Sequence, residues 1–81
     1  MNKTTIEHGY YTTDEVGRFH SFDDEPAIKV EDHIITEENG EIKEVSGYRA
    51  WYKNGQIHRE GSPSVIRNSG EEYYYIDGKL Q

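Results

Sequence analysis

Trp51-Tyr52-Lys53-Asn54-Gly55-Gln56-Ile57-His58-Arg59-Glu60-Gly61-Ser62-Pro63-Ser64-Val65-Ile66 holds a turn, two candidate strands and a break. Asn54 and Gly55 both tolerate positive φ, which a two-residue type I′ hairpin turn requires at its two central positions. Tyr48, Ala50, Trp51 and Tyr52 precede the turn; Ile57 and then Val65-Ile66 follow it. Both flanks are rich in the aromatic and β-branched residues that suit a pleated, half-buried surface. Pro63 has no N–H to give to a ladder, so Gly61-Ser62-Pro63 reads as a kink between two extended pieces. The stretch predicts a hairpin unit.

Worn copies flank it. Trp51-Tyr52-Lys53-Asn54-Gly55 aligns with Tyr74-Tyr75-Ile76-Asp77-Gly78, and Gln56-Ile57 with Lys79-Leu80. Upstream, Gly17-Arg18-Phe19-His20 aligns with Gly55-Gln56-Ile57-His58, and Pro26-Ala27-Ile28 with Pro63-Ser64-Val65. Extra sequence between Ile28 and Tyr48, with its own Asn39-Gly40 turn, lengthens the first unit. One such unit cannot bury an apolar face, whereas stacked neighbours can. The units run over about 17–46, 47–70 and a partial 71–81, within a single domain spanning 1–81.

These segments resemble the short W-Y-x-N-G-x-x-H-R-E-x-G-P-A-V repeats of small proteins from tailed phages and large DNA viruses, which are distantly similar to MORN-type hairpin repeats. The likeness covers roughly residues 17–81. Ser62 and Ser64 depart from it, standing where Gly and Ala are usual, and Gln81 falls where the next His would come. The resemblance implies a β-meander and a viral origin. It implies no activity, since such a repeat is a scaffold.

The remaining segments predict an all-β fold, a mostly antiparallel meander of about six to eight short strands. Ile6, Tyr10 and Tyr11 mark a first strand with Gly9 at a bulge. Thr12 to Gly17 turn it back, and the Phe19/Phe22 spacing requires a kink. Ala27–Val30 and His33–Thr36 read as strand pieces, Glu37–Gly40 as a turn, and Ser69-Gly70 as a turn into Glu72–Ile76. A short helix over 31–44 is the second reading, since Glu and Lys favour helices and Ile42 and Val45 alternate poorly.

With 81 residues, 32% of them hydrophobic, and 7 tyrosines, the core must be thin and aromatic. The absence of cysteine excludes disulfides and thiolate chemistry and agrees with a cytoplasmic setting, the host cytoplasm for a viral protein. No apolar run is long enough to span a membrane. A core this small also raises a homodimer through sheet edges or aromatic faces.

Charge is the most functional-looking feature. Asp14 to Glu44 hold 11 acids against 3 bases, a net of −8, whereas Val45 to Gln81 hold 4 acids against 5 bases; the whole chain carries −7. Such a field attracts a basic partner and repels nucleic acid and anionic membrane. The bland alternative is a solvated acidic surface that keeps a thin β-protein soluble. Asp14, Glu15, Asp23, Asp24, Glu25, Glu31, Asp32, Glu37 and Glu38 are the candidate partner-binding residues.

His20 and His58 hold matching repeat positions, which points to one scaffold role for both, packing beside an aromatic and bonding a turn. His8 and His33 fit no metal-binding spacing. The chain contains no G-x-S-x-G, Walker or G-x-G-x-x-G motif, and adjacent strand carboxylates point to opposite faces. No enzyme activity, cofactor or metal is expected. The preferred expectation is therefore a small phage-type protein that binds a basic surface of a host defence or nucleic-acid-handling protein and inhibits it, its acids mimicking nucleic-acid charge. The alternatives are a structural, self-assembling β-repeat piece, and a single-stranded nucleic-acid binder using Tyr73-Tyr74-Tyr75 with Arg67 and Lys79. The acidic balance disfavours the last.

Overall fold

Two kinds of corner punctuate the chain. At Asn54-Gly55 and Asp77-Gly78 both central residues have positive φ (51° and 85°, 50° and 79°), the type I′ geometry that suits a twisted hairpin. At 14–18, 37–41 and 67–71 a longer loop recurs. There the first residue donates its N–H to the fifth carbonyl, and the fourth, a glycine, donates to the first: Asp14 N to Arg18 O and Gly17 N to Asp14 O, then Glu37/Glu41 with Gly40, then Arg67/Glu71 with Gly70.

The computed structural model describes residues 2–81, and among them every regular element is a strand. In chain order these are β1 (Asn2–Ile6), β2 (Gly9–Thr13), β3 (Ile28–Val30), β4 (His33–Thr36), β5 (Ile42–Val45), β6 (Tyr48–Ala50), β7 (Tyr52–Lys53), β8 (Gln56–Ile57), β9 (Val65–Arg67), β10 (Glu72–Tyr73), β11 (Tyr75–Ile76) and β12 (Lys79–Leu80). Six build one antiparallel sheet in the order β1-β2-β3-β6-β9-β10; β4–β5, β7–β8 and β11–β12 are separate two-stranded hairpins. The all-β expectation holds. There are more strands than the expected six to eight, because the chain leaves the sheet at Trp51 and again at Tyr74 to make a small hairpin each time. The second reading, a helix over 31–44, is overturned: His33 pairs with Val45 and Thr36 with Ile42, so the segment is the β4–β5 arm. The single first strand with a bulge at Gly9 is also corrected. Ile6 pairs with Gly9 across a Glu7-His8 turn, giving two strands. A Cβ on Gly9 would collide with the Lys29 carbonyl, so close strand approach explains the glycine.

The repeat is visible as a recurring set of hydrogen bonds. Thr12, Trp51 and Tyr74 are equivalent, since their carbonyls accept from His20 N, His58 N and Gln81 N. Thr12 N donates to Ala27 O at 2.7 Å and Trp51 N to Ser64 O at 2.8 Å, so Ala27 and Ser64 are equivalent as well. Each hairpin then docks on the preceding unit in the same way. Gly55 N donates to Phe19 O and Ser21 N to Tyr52 O; Gly78 N donates to Ile57 O and Arg59 N to Tyr75 O.

The core is thin, as composition requires: Ala27, Ala50 and Trp51 are its buried apolar residues, beside buried Thr12 and Ser64. Ser64 explains one departure from the repeat pattern. Its hydroxyl accepts from Tyr75 N at 2.8 Å and donates to Tyr75 O at 2.9 Å. Ala27 cannot do this, and there the Ser21 hydroxyl accepts from the equivalent Tyr52 N. Replacing Ser64→Ala should lower stability by about 1–3 kcal/mol, because the Tyr75 amide loses its acceptor inside the structure. Urea unfolding of the variant beside a Ser62→Ala control, expected within about 0.5 kcal/mol of wild type, measures this.

Candidate protein-binding surface

The nine candidate carboxylates divide by connectivity before they divide by chemistry. β3 runs from Ile28, paired with Tyr11 and Ala50, to Val30, paired with Gly9 and Tyr48. Asp14, Glu15, Asp23, Asp24 and Glu25 lie in the loops at the Ile28 end. Glu31 and Asp32 follow Val30, and Glu37 and Glu38 sit at the tip of the arm that leaves from there. The acidic segment thus forms two groups at opposite ends of β3, separated by about 10 Å of strand.

Four of the nine are tied up in holding the fold. Asp14 accepts from the Val16 and Arg18 amides at 3.0 Å and from Arg18 Nε at 2.9 Å, closing its own loop. Desolvation opposes ionisation there, yet the Arg18 and Val16 bonds outweigh it and hold the carboxyl below its ordinary value. Asp24 receives Arg59 Nε at 3.1 Å and Nη2 at 3.0 Å, a bidentate pair that keeps it ionised to lower pH. Asp32 accepts from Gly47 N at 2.6 Å and Asn68 Nδ2 at 3.0 Å, pinning the base of the arm to the turn after β9; these bonds lower its pKa. Glu37 pairs with Lys43 at 2.9 Å across the arm. The other five, Glu15, Asp23, Glu25, Glu31 and Glu38, are exposed and make no side-chain hydrogen bond or ion pair among the described residues.

Asp24 anchors a cluster that sequence reasoning did not single out. Asp23 and Asp24 both take the left-handed conformation (φ 55° and 58°), making the corner that leads into Pro26. The Asp24 carbonyl accepts Trp51 Nε1 at 2.9 Å, and the Arg59 guanidinium lies 3.8 Å from the Trp51 ring centroid. Arg59 Nη1 also reaches the Pro63 carbonyl at 3.2 Å. One arginine therefore ties the first unit to the second and covers the only tryptophan, which is 4% exposed.

Both repeat histidines bond a turn as expected, and an aromatic neighbour is seen for His20. His20 Nδ1 accepts from Asn54 N at 3.1 Å, with its ring 4.7 Å from that of Phe22. His58 Nδ1 accepts from Asp77 N at 3.0 Å. Each imidazole holds the turn of the next hairpin. His8 and His33 stack with centroids 3.9 Å apart, joining the β1–β2 turn to the arm. Among the described residues no group of three His, Cys, Asp or Glu side chains could hold a metal.

The arm adds apolar surface that reading the sequence missed. Ile34, Ile35 and Ile42 are 63%, 45% and 69% exposed, with Glu41 and Glu44 beside them and Lys43 as the arm's one cation. Ile34 and Ile42 share one face, being diagonal neighbours across β4 and β5. The sequence carries this as a strand-like run between acids, and nothing local in that run tells a covered apolar face from an open one. An open hollow of about 440 Å³ lies where the arm leaves the sheet, lined by Asp32, His33, Ile34, Glu44, Val45 and Ser46. No helix of the described residues is long and apolar enough to cross a membrane. Compared with known proteins, the chain matches no protein-family model, no curated protein and no solved structure.

The bonds to Asp24 and Asp32 have a pH signature. Both pKa values are lowered from 3.8 in the folded chain. Their stabilising contribution is therefore complete above about pH 3.8 and is lost as pH falls through the folded values. Acid unfolding followed by circular dichroism should show a shallower loss of stability below that pH for Asp32→Asn than for wild type. Glu38→Gln should leave the profile unchanged.

Proposed function

We propose that this is a small acidic protein-binding module of phage type that occupies a basic surface on a host defence or nucleic-acid-handling protein and thereby inhibits it. Its carboxylates would stand where nucleic-acid phosphates stand. The observation that carries the reading is the set of uncommitted acids: Glu15, Asp23, Glu25, Glu31 and Glu38 are exposed and have no paired cation among the described residues, in a chain of net charge −7. Structural need accounts for Asp14, Asp24, Asp32 and Glu37 and leaves these five unexplained. A lopsided field of this kind speeds encounter with a cationic partner and discriminates against anionic ones.

The arm supports the same reading from another direction. A two-stranded hairpin is marginal in water by itself, and this one exposes Ile34 and Ile42 on one face, beside Glu44, and Ile35 on the other. An apolar centre with a charged rim is the usual anatomy of a binding surface. Catalysis finds little support in the arrangement: Ser21 shares a hollow with His20 and His58, yet its hydroxyl accepts from Tyr52 N and bonds to neither imidazole among the described residues. The nucleic-acid alternative is weakened at Tyr73, whose hydroxyl donates to Glu71 at 2.7 Å and so carries a carboxylate beside any stacked base. A cytoplasmic site of action belongs to the same proposal.

Affinity capture from host lysate with wild-type protein should recover a basic protein whose yield falls as salt rises from low to physiological and beyond. Reversing Glu15, Glu25, Glu31 and Glu38 to Lys should abolish that capture while stability stays within about 0.5 kcal/mol of wild type, since their exposed side chains make no hydrogen bond or ion pair among the described residues. Unchanged capture by the reversed variant would remove the proposal. Reversing the two end groups separately then reports which end of β3 makes the contact.

A further inference from the structure

Three segments occupy the same place in successive units: Tyr10-Tyr11-Thr12, Arg49-Ala50-Trp51 and Glu72-Tyr73-Tyr74. The first two each receive an extended segment on their outer edge. Pro26-Ala27-Ile28-Lys29-Val30 docks on the first, with Ile28 opposite Tyr11, Lys29 opposite Tyr10 and Thr12 N bonded to Ala27 O. Pro63-Ser64-Val65-Ile66-Arg67 docks on the second, with Val65 opposite Ala50, Ile66 opposite Arg49 and Trp51 N bonded to Ser64 O. Among the described residues the third has β9 on one side and no strand on the other. Its Tyr74 N–H, the counterpart of the Thr12 and Trp51 donors, has no acceptor among the described residues. Tyr74 is 49% exposed where Trp51 is 4%.

We infer that the free edge of β10 is a binding site for an extended segment of a partner protein, added as a further antiparallel strand and carrying a small residue followed by a β-branched one and a basic one. The two interior copies define that chemistry. Ala27 and Ser64 are completely buried, so the residue that meets the Tyr74 amide must be small. Ile28 and Val65 stand directly across the ladder at the level of Tyr73, where β-branched side chains pair well with an aromatic. Glu72 and Glu71 are the next two positions along the edge, both exposed. Lys29 in one copy falls opposite the position of Glu72, and Arg67 in the other opposite that of Glu71. Strand addition of this kind draws affinity from main-chain hydrogen bonds and selectivity from alternate side chains. Two β10 edges pairing with each other would bring the Glu71-Glu72 pairs of both copies together, which disfavours a second copy as the occupant. In the sheet β6 and β9 separate this edge from β3, and the site stands independently of the function proposed above.

The probe is a capped peptide of the sequence Pro-Ala-Ile-Lys-Val, that of residues 26–30, titrated into isotope-labelled protein. The amides of Glu72 and Tyr74 should shift, and Tyr74 should gain protection from hydrogen exchange. A peptide with leucine at the small position should bind at least about tenfold more weakly. Tyr74→Pro deletes the outward N–H yet keeps the carbonyl that receives Gln81 N, so it should bind at least about tenfold more weakly with an unchanged far-ultraviolet spectrum. Silence at both amides up to millimolar peptide would overturn the inference. So would shifts confined to the β1 edge, equal binding of the leucine peptide, or concentration-dependent shifts of these amides without peptide, which would identify a second copy as the occupant.

Discussion

Two small residues, Ala27 and Ser64, set the geometry on which the rest depends. Each is completely buried and each accepts a backbone bond from the aromatic or threonine position that starts a hairpin. On their other side they donate, Ala27 N to Ala50 O and Ser64 N to Tyr73 O. Each is thus a relay between two neighbouring units, with its main chain satisfied in both directions. A larger side chain there would force the units apart and break both bonds, since a well-packed interior accommodates little extra volume. The kinks that precede them, Asp23 to Pro26 and Gly61 to Pro63, bring the chain to that close approach.

With so little apolar area out of water, directional contacts carry a larger share than is usual. Phe19 meets Tyr11 edge-on at 5.7 Å and Tyr52 at 5.3 Å, spreading aromatic contact over two units. Arg59 is stacked on Trp51 and held by Asp24, and both repeat histidines cap turns of the following hairpin. The His58 case shows the cost of this economy. Its Nδ1 holds the Asp77 amide, while its buried Nε2 has no hydrogen-bond partner among the described residues. The acids divide between the two demands. Those that receive amide or guanidinium donors serve the fold, and the rest give the molecule its field.

Much of the architecture was legible because turn chemistry and repetition agree. Asn54-Gly55 and Asp77-Gly78 named their hairpins, and the alignment of Pro26-Ala27-Ile28 with Pro63-Ser64-Val65 matched two positions, Ala27 and Ser64, that the structure makes equivalent. Legibility failed where tertiary contacts override local signals. Glu7-His8 is a poor turn by composition, yet Ile6 pairs with Gly9 across it, and Gly9 passes close to the Lys29 carbonyl. Helix propensity in 31–44 lost to pairing between β4 and β5 and to the bond from Gly47 to Asp32. For the candidate site, the excess of acid could be counted, but its division into structural and free groups could not. Nothing in the spacing of Asp24 and Arg59 announces that they meet.

The arm departs at Val30 and returns at Tyr48, and these two residues are direct partners in the sheet. A detour whose entry and exit are adjacent leaves the register of the surrounding strands indifferent to its length, because closing a longer loop adds little entropy. The junction is in effect a socket. An arm of another length or charge could be plugged in there while the hairpin array underneath stays the same.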